Sequence, residues 1–330
     1  MVETTPETTV KPGHPGPEEA DRDQPEAHDT GRRAVDETVG ARRAKARRPA
    51  GRSMVGQTAV ITGASAGIGA AAVRQLRDLG ARLVILGRSA QRTAAVAAET
   101  GAVPIVADFA RLADVRRAAA EILDVCPRID VLMNNAGGLF PTLTRTEDGN
   151  ELTFQVNHLS PFLLTNLLLP RLSATPGSRV IVTSSLVNFL GRVDLTDLQR
   201  AQRRYQQFGV YFDSKLANIL FARELARRTA PGSPAAMAVH PGIVVSSFGR
   251  DTWFVHTFYR PLRLVGARTP AGGARPLVAL ATRPDPETVN GAYLHRYTVR
   301  DRFFTGRQAR DAELSRALWE YSAARVGLPG

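Results

Sequence analysis

Cysteine, lysine and aromatic side chains are scarce in this sequence, and it has no long apolar run. Of 330 residues one is cysteine, Cys126. Neither an internal disulfide nor a thiolate metal cluster can form, so stability must come from an apolar core in a reducing compartment. This excludes a disulfide-stapled scaffold and a zinc finger, and no metal is expected. The most apolar segment, residues 162–169, is interrupted by Thr165 and Asn166 and ended by Pro170, far short of the ~20 residues that cross a bilayer. Near the N-terminus stand Glu3 and Glu7, where a signal peptide carries positive charge ahead of an apolar stretch. The expectation is a soluble, cytoplasmic protein without a membrane anchor.

Lysine occurs three times, as Lys11, Lys45 and Lys215, so forty of the 43 basic residues are arginine. The formal net charge of +12 therefore reads as compositional background, and a lysine inside a motif stands out against it. Residues 1–52 contain no Phe, Trp or Tyr, six prolines and interleaved charges, a composition that cannot bury enough apolar surface to offset chain entropy. They are expected to form a disordered tail. Its basic end, residues 41–52, reads as a solvated linker, and no nucleic-acid partner is expected. Met54, where ordered-looking sequence begins, stands as an alternative first residue.

From Gln57 onward, short β-branched runs alternate with longer amphipathic stretches, the signature of βαβ units around a parallel sheet. Strands are expected at 58–62, 82–86, 103–107, 131–134, 179–183 and 236–240. Helices are expected at 67–79, 90–100, 112–125, 150–172 and 212–228. This predicts one Rossmann-type, doubly wound α/β domain over residues 53–330, a parallel sheet with helices on both faces. Residues 186–210 and 243–269 fit neither pattern and read as loops or small lid helices over a site. The second is aromatic, with Phe248, Trp253, Phe254, Phe258 and Tyr259.

The first chemical motif runs from the first expected strand into Thr62-Gly63-Ala64-Ser65-Ala66-Gly67-Ile68-Gly69. Gly63 permits a tight turn, Gly67 lets backbone approach a pyrophosphate, Gly69 allows close helix packing, and the helix start offers free N–H groups. At the end of the second expected strand stand Gly87 and Arg88, where an NAD-selective protein carries an acidic side chain for the ribose 2′-hydroxyl. A guanidinium suits a 2′-phosphate instead, which favours NADP over NAD.

The third motif is Tyr211-Phe-Asp-Ser-Lys215. Four residues apart on a helix, tyrosine and lysine share a face. No other tyrosine has lysine at that offset. An ammonium beside a phenol stabilises the phenolate, and its three donors can also hold a ribose hydroxyl. Lowering a phenol by three units from ~10 takes about 4 kcal/mol of differential stabilisation. A nearby cation in a partly dry cleft, helped by an oxidised nicotinamide, is of that order. Tyr211 could then exchange a proton with a substrate oxygen near neutral pH.

With Thr62-Gly-x-x-x-Gly-Ile-Gly69, Asn134-Asn-Ala-Gly137 and Tyr211-x-x-x-Lys215 in view, the chain resembles a classical short-chain dehydrogenase/reductase over about residues 54–328. Longer stretches, beginning at Gln155, Val182, Ser214 and His240, are similar to the retinol dehydrogenase and WW-domain oxidoreductase branch. The resemblance implies that Tyr211 is the acid/base, Lys215 its stabiliser and ribose ligand, Ser185 the donor to the substrate oxygen, and Asn157 the holder of a relay water. It implies a pyrophosphate turn of Thr62, Gly63, Ser65, Gly67, Ile68 and Gly69, with Asp108 at the adenine amino group. Asn135, Ala136 and Gly137 would line the adenosine ribose side, and Pro241, Gly242, Ile243 and Ser246 would meet the nicotinamide carboxamide.

Ser184 could act in place of Ser185, Asp108 could be a helix cap, and Asn157 could satisfy a buried carbonyl; His158 and His240 read as scaffold. The interval from Ser185 to Tyr211 is longer than in the shortest family members, and Ala66 stands where many NADP-using relatives carry a basic residue. The expected function is an NADP(H)-dependent alcohol dehydrogenase or carbonyl reductase acting on a lipophilic small molecule, with NAD(H) possible and a homodimer or homotetramer implied by likeness. Competing readings are a nucleotide-sensing binding protein on the same scaffold, and an epimerase or dehydratase working through transient oxidation.

Overall fold

Strands that are apolar on both faces persist only in a sheet covered by helices on each side, and runs of Val, Ile, Leu and Ala supply them here. The computed structural model describes residues 52–229, 234–244, 268–300 and 304–329. The expected tail up to residue 51, the aromatic stretch 248–259 and Ser246 lie outside the described residues.

The strands are β1 (Thr58–Thr62), β2 (Arg82–Gly87), β3 (Val103–Val106), β4 (Val131–Asn134), β5 (Arg179–Thr183), β6 (Ala235–His240), β7 (Tyr293–His295) and β8 (Thr298–Val299). They lie in the order β3-β2-β1-β4-β5-β6-β7-β8. Every neighbouring pair is parallel except β7 with β8. The helices are α1 (Gly67–Asp78), α2 (Ala90–Thr100), α3 (Leu112–Val125), α4 (Ser160–Ser173), α5 (Gln207–Arg228), α6 (Pro270–Ala281) and α7 (Ala312–Val326).

Alternation along the strands sends neighbouring residues to opposite faces. Val60, Val84 and Leu132 face α3, α4, α5 and α7, whereas Ile61, Ile85 and Met133 face α1, α2 and α6. The chain winds outward in both directions from β1, which lies between β2 and β4. The carboxyl ends of β1 and β4 therefore flank a crevice of the kind in which doubly wound sheets bind ligands.

Two of the expected helices depart from the sequence pattern. The helix expected from residue 212 begins at Gln207, with Val210 buried and the Phe208 ring 6.4 Å from that of Phe212. The helix expected over 150–172 is instead a turn at Leu152–Phe154, a π-helical turn at Gln155–Leu159 and then α4. Pro161 explains the change. It has no N–H, so the carbonyl of Asn157, four residues before it, lacks its ordinary helical donor. The winding widens here, and Ser160 N–H donates to the Gln155 carbonyl. Residues 186–206, expected as loop or small lid helices, contain one 3-10 turn, Leu186–Leu190, ahead of α5. The rest is irregular chain held by Asp197, which accepts from the N–H groups of Ala201, Gln202 and Arg203, and by a buried Arg200–Asp213 ion pair.

Candidate active site

At the carboxyl end of β1 the chain turns through Gly63, whose φ of +65° is the left-handed region that glycine enters without steric cost. A Cβ on Gly69 would stand 2.2 Å from the Gly63 carbonyl oxygen, so the first turn of α1 closes on the strand only because residue 69 has no side chain. The turn is fastened from β4: Asn135 Nδ2 donates to the Thr62 carbonyl at 3.0 Å, and Thr62 Oγ1 accepts from the N–H groups of Asn135 and Ala136, each at 3.0 Å. Asn135 and Ala136 thus brace the glycine turn. Ala66 caps α1 without a side-chain hydrogen bond, leaving the first-turn N–H groups of Gly67 and its successors directed outward with the positive end of the helix dipole.

Two further features fit this cradle to a dinucleotide. Gly87 packs against the turn so closely that a Cβ there would lie 2.9 Å from that of Ser65, which brings the next residue, Arg88, to its rim. Arg88 is exposed, and among the described residues its guanidinium has no carboxylate partner. Asp108, half-buried after β3, accepts from Ala110 N–H at 3.0 Å. The Leu112 N–H at the start of α3 donates to Asp148, so Asp108 does not serve as that helix cap.

Lys215 and Tyr211 share one face of α5. The Lys215 Nζ lies 5.4 Å from the centre of the Tyr211 ring and donates to the Thr183 carbonyl at 3.2 Å. A Cβ on Gly137 would stand 3.4 Å from that Nζ and 3.1 Å from Asn157 Oδ1, so the absence of a side chain at Gly137 brings the lysine and the asparagine together. Lys215 is buried, and burial pushes its pKa down to about 8. Asn157 is clamped by Gly138, donating to its carbonyl at 3.0 Å and accepting from its N–H at 2.7 Å, and it donates to Ser214 Oγ at 3.0 Å.

Of the two serines after β5, Ser184 is buried and donates to the Lys215 carbonyl at 2.7 Å, whereas Ser185 is half-buried beyond the strand end. The backbone carbonyl of Ser185 accepts from Asn188 Nδ2 at 2.7 Å and from the Tyr293 hydroxyl at 3.2 Å. Pro241, Gly242 and Ile243 follow β6, with Gly242 at φ +102° and Ile243 exposed. Sequence reasoning missed Ser214 and Asn218, which brace Asn157 and the Thr183 carbonyl. Their one signal was short polar side chains beside Lys215 on an otherwise apolar helix face. His158 sits among Phe154, Phe162 and Phe221; burial pushes its pKa down to about 4, and its Nε2 pairs with Ser322 Oγ at 2.9 Å.

Comparison with known proteins agrees with this geometry. The short chain dehydrogenase family profile matches residues 57–253. Retinol dehydrogenase 14 of Homo sapiens is 38% identical over 299 residues, covering 83% of this chain and 88% of its own. A Streptomyces sp. (strain C5) protein named for daunorubicin C-13 ketoreduction is 42% identical over 278 residues, covering 82% and 93%. Among solved structures, a short chain dehydrogenase from Burkholderia cenocepacia in complex with NADP superposes with a TM-score of 0.60 at 26% identity, covering 74% of this chain and 97% of its own.

Proposed function

This chain belongs to the short-chain dehydrogenase family of oxidoreductases, and on that premise we propose that it is an NADP(H)-dependent alcohol dehydrogenase or carbonyl reductase, with NAD(H) as the weaker alternative cofactor. The observation that carries the reading is Lys215 Nζ held 5.4 Å from the Tyr211 ring and against Gly137, in the crevice that the glycine turn opens.

Bound in that crevice, a reduced nicotinamide supplies a hydride to a carbonyl carbon, and its oxidised form accepts one from an alcohol. Thr62, Gly63, Ser65, Gly67, Ile68 and Gly69 hold the pyrophosphate through backbone donors and the α1 dipole. Arg88 pairs with the 2′-phosphate, Asp108 accepts from the adenine amino group, and Asn135, Ala136 and Gly137 line the ribose side. Pro241, Gly242, Ile243 and Ser246 meet the carboxamide; Ser246 is proposed from sequence alone.

In reduction, Ser185 Oγ donates to the substrate oxygen while Tyr211 passes its phenolic proton to it. Lys215 steadies the resulting phenolate. With a pKa of about 8 it remains largely protonated at neutral pH, so the stabilising charge is present where the reaction runs. Asn157, whose carbonyl lost its helical donor to Pro161, accepts from a relay water that returns the proton to Tyr211 through Lys215.

Phe189, Leu190 and Phe304 are exposed beside Ser185: Asn188 bridges the carbonyls of Ser185 and Phe304. This apolar rim favours a lipophilic alcohol or carbonyl. The reading further has the enzyme work in the cytoplasm as a homodimer or homotetramer. A panel of aliphatic, terpenoid, steroid and aromatic carbonyls, offered with NADPH and NADH separately and followed at the nicotinamide absorbance band, tests it. Consumption with NADPH on at least one lipophilic carbonyl is expected. Failure with every pair, by protein that binds neither cofactor, contradicts it.

A further inference from the structure

Two arginines from different parts of the chain converge on one glycine. A Cβ on Gly242 would stand 3.3 Å from Arg268 Cδ and 3.9 Å from Arg296 Cδ. Arg268 lies just before α6 and Arg296 just after β7, and both backbones are tied to the same turn. Arg268 N–H donates to the Ile243 carbonyl at 2.8 Å, and Arg296 N–H to the His240 carbonyl at 2.9 Å.

Like charges brought this close repel unless something of opposite sign lies between them. Among the described residues neither guanidinium meets a carboxylate. Among these residues the Tyr297 ring centre lies 5.9 Å from the Arg296 guanidinium, and Arg296 Nε and His295 Nδ1 are buried without a hydrogen-bond partner. Among the described residues the immediate surroundings are basic or neutral. The ring of His240, 5% exposed, is centred 5.1 Å from that of His295 with the planes tilted. Burial, then His295 and then Arg296 hold its pKa down to about 3. Arg300 also bears on His295. A buried donor left unpaired costs about 1–3 kcal/mol, and Arg296 adopts the left-handed backbone at φ +61°, which non-glycine residues hold only where their surroundings over-determine it.

We propose that Arg268 and Arg296 form a two-arginine anion site at the Gly242 turn, taking a phosphate or carboxylate group. Planar guanidinium forks suit both oxyanions. Two carriers of that chemistry would fit this edge. On one side, Gly273 of α6 packs against Val244 and against Ile68 of the glycine turn, so the diphosphate of a bound cofactor would lie on the α6 side, where Arg268 stands. On the other, Arg296 neighbours the His295–Phe304 stack, with ring centroids 5.5 Å apart, which directs it toward an acidic group on a lipophilic substrate. The pair stands on its own geometry; only the identity of the carrier rests on the oxidoreductase reading.

The test begins without turnover. Thermal unfolding of the full chain is followed in sodium pyrophosphate against sodium chloride of equal ionic strength, for wild type, Arg268→Gln/Arg296→Gln and Arg268→Lys/Arg296→Lys. Wild type is expected to gain about 3 °C at saturation, the glutamine pair to lose at least half of that gain, and the lysine pair to keep most of it. A glutamine pair that gains as much as wild type overturns the site. NADPH titration by fluorescence then separates the carriers. An affinity loss of about tenfold in the glutamine pair assigns the cofactor diphosphate. Unchanged NADPH affinity with a tenfold lower kcat/KM on an aromatic keto acid, and none on its methyl ester, assigns the substrate group. Wild type that responds to pyrophosphate but binds no NADPH keeps the anion site and removes the oxidoreductase reading.

Discussion

The hydroxyl of Ser184 donates to the carbonyl oxygen of Lys215 at 2.7 Å, tying the end of β5 to the middle of α5. Because Ser184 is occupied in this way, the neighbouring Ser185 is the serine left at the crevice. Ser184→Ala is expected to cost about 1–2 kcal/mol of stability by removing a buried hydrogen bond that ties β5 to α5. Ser185→Ala is expected to leave stability within about 0.5 kcal/mol while lowering kcat about 100-fold. Urea unfolding and steady-state kinetics on both variants check this; the reverse pattern would assign the hydroxyl donor to Ser184.

Lys215 is a charge kept at a cost. Its pKa is lowered to about 8 from about 10.5 in the unfolded chain, so the unfolded state binds more protons between those values. Stability contributed by this group is lowest below pH 8 and rises as pH climbs toward 10.5. Lys215→Met is therefore expected to raise stability at pH 7 by about 1–3 kcal/mol, to flatten that rise, and to abolish turnover. Asn218 still donates to the Thr183 carbonyl at 3.2 Å in its absence. Unfolding midpoints at pH 7 and pH 10 provide the comparison, and a variant less stable than wild type at pH 7 contradicts the account.

His158 works in the opposite pH range. Burial lowers its pKa to about 4, below the ordinary 6.5, so the unfolded chain takes up the proton first and stability falls as pH drops from 6.5 toward 4. Between pH 7.5 and pH 5 this one residue is expected to account for roughly 2 kcal/mol. In His158→Leu that share of the acid loss should vanish while NADPH affinity stays unchanged. Urea unfolding at the two pH values measures it, and an acid loss as large as in wild type would show that the ring is not held neutral.

In the proposed reading Arg88 sets the choice of cofactor. Losing charge-assisted hydrogen bonds worth about 1.5–3 kcal/mol should weaken NADPH binding about 10- to 100-fold in Arg88→Gln, with NADH affinity within twofold of wild type. Fluorescence titrations with each cofactor read this directly. Equal losses for both would mean that Arg88 supports the fold of the turn and does not read the 2′-phosphate.

Most of the sheet was legible because parallel strands buried on both faces announce themselves as β-branched runs: β1, β4 and β5 begin and end where the pattern puts them. The chain from residue 268 onward was not. In α6, Pro270, Gly272, Gly273 and Pro276 read as breakers, yet Thr269 caps the helix, Pro270 occupies its first turn, and Gly273 is needed for its approach to Val244 and Ile68. Tertiary contact overrides propensity there. The strands β7 and β8 are too short to show a period. In the site, Tyr211 and Lys215 were legible from spacing alone, since lysine is rare here. The duties of Ser184, Ser214 and Asn218 were not, because short polar residues on a helix or strand end reveal their partners only once the elements pack. The π-helical turn was not read either, because the effect of Pro161's missing N–H falls four residues back, at Asn157, inside an otherwise helical pattern.

The central claim is that the Tyr211 phenol transfers the proton while Lys215 and the glycine turn do the holding. Single-turnover oxidation of NADPH with a carbonyl from the reactive panel, in wild type and Tyr211→Phe side by side, tests it most directly. The expected result is a rate constant lower by a factor of about 100 to 10,000 in the variant, with NADPH affinity within twofold of wild type. A variant that oxidises NADPH within about threefold of the wild-type rate would contradict it.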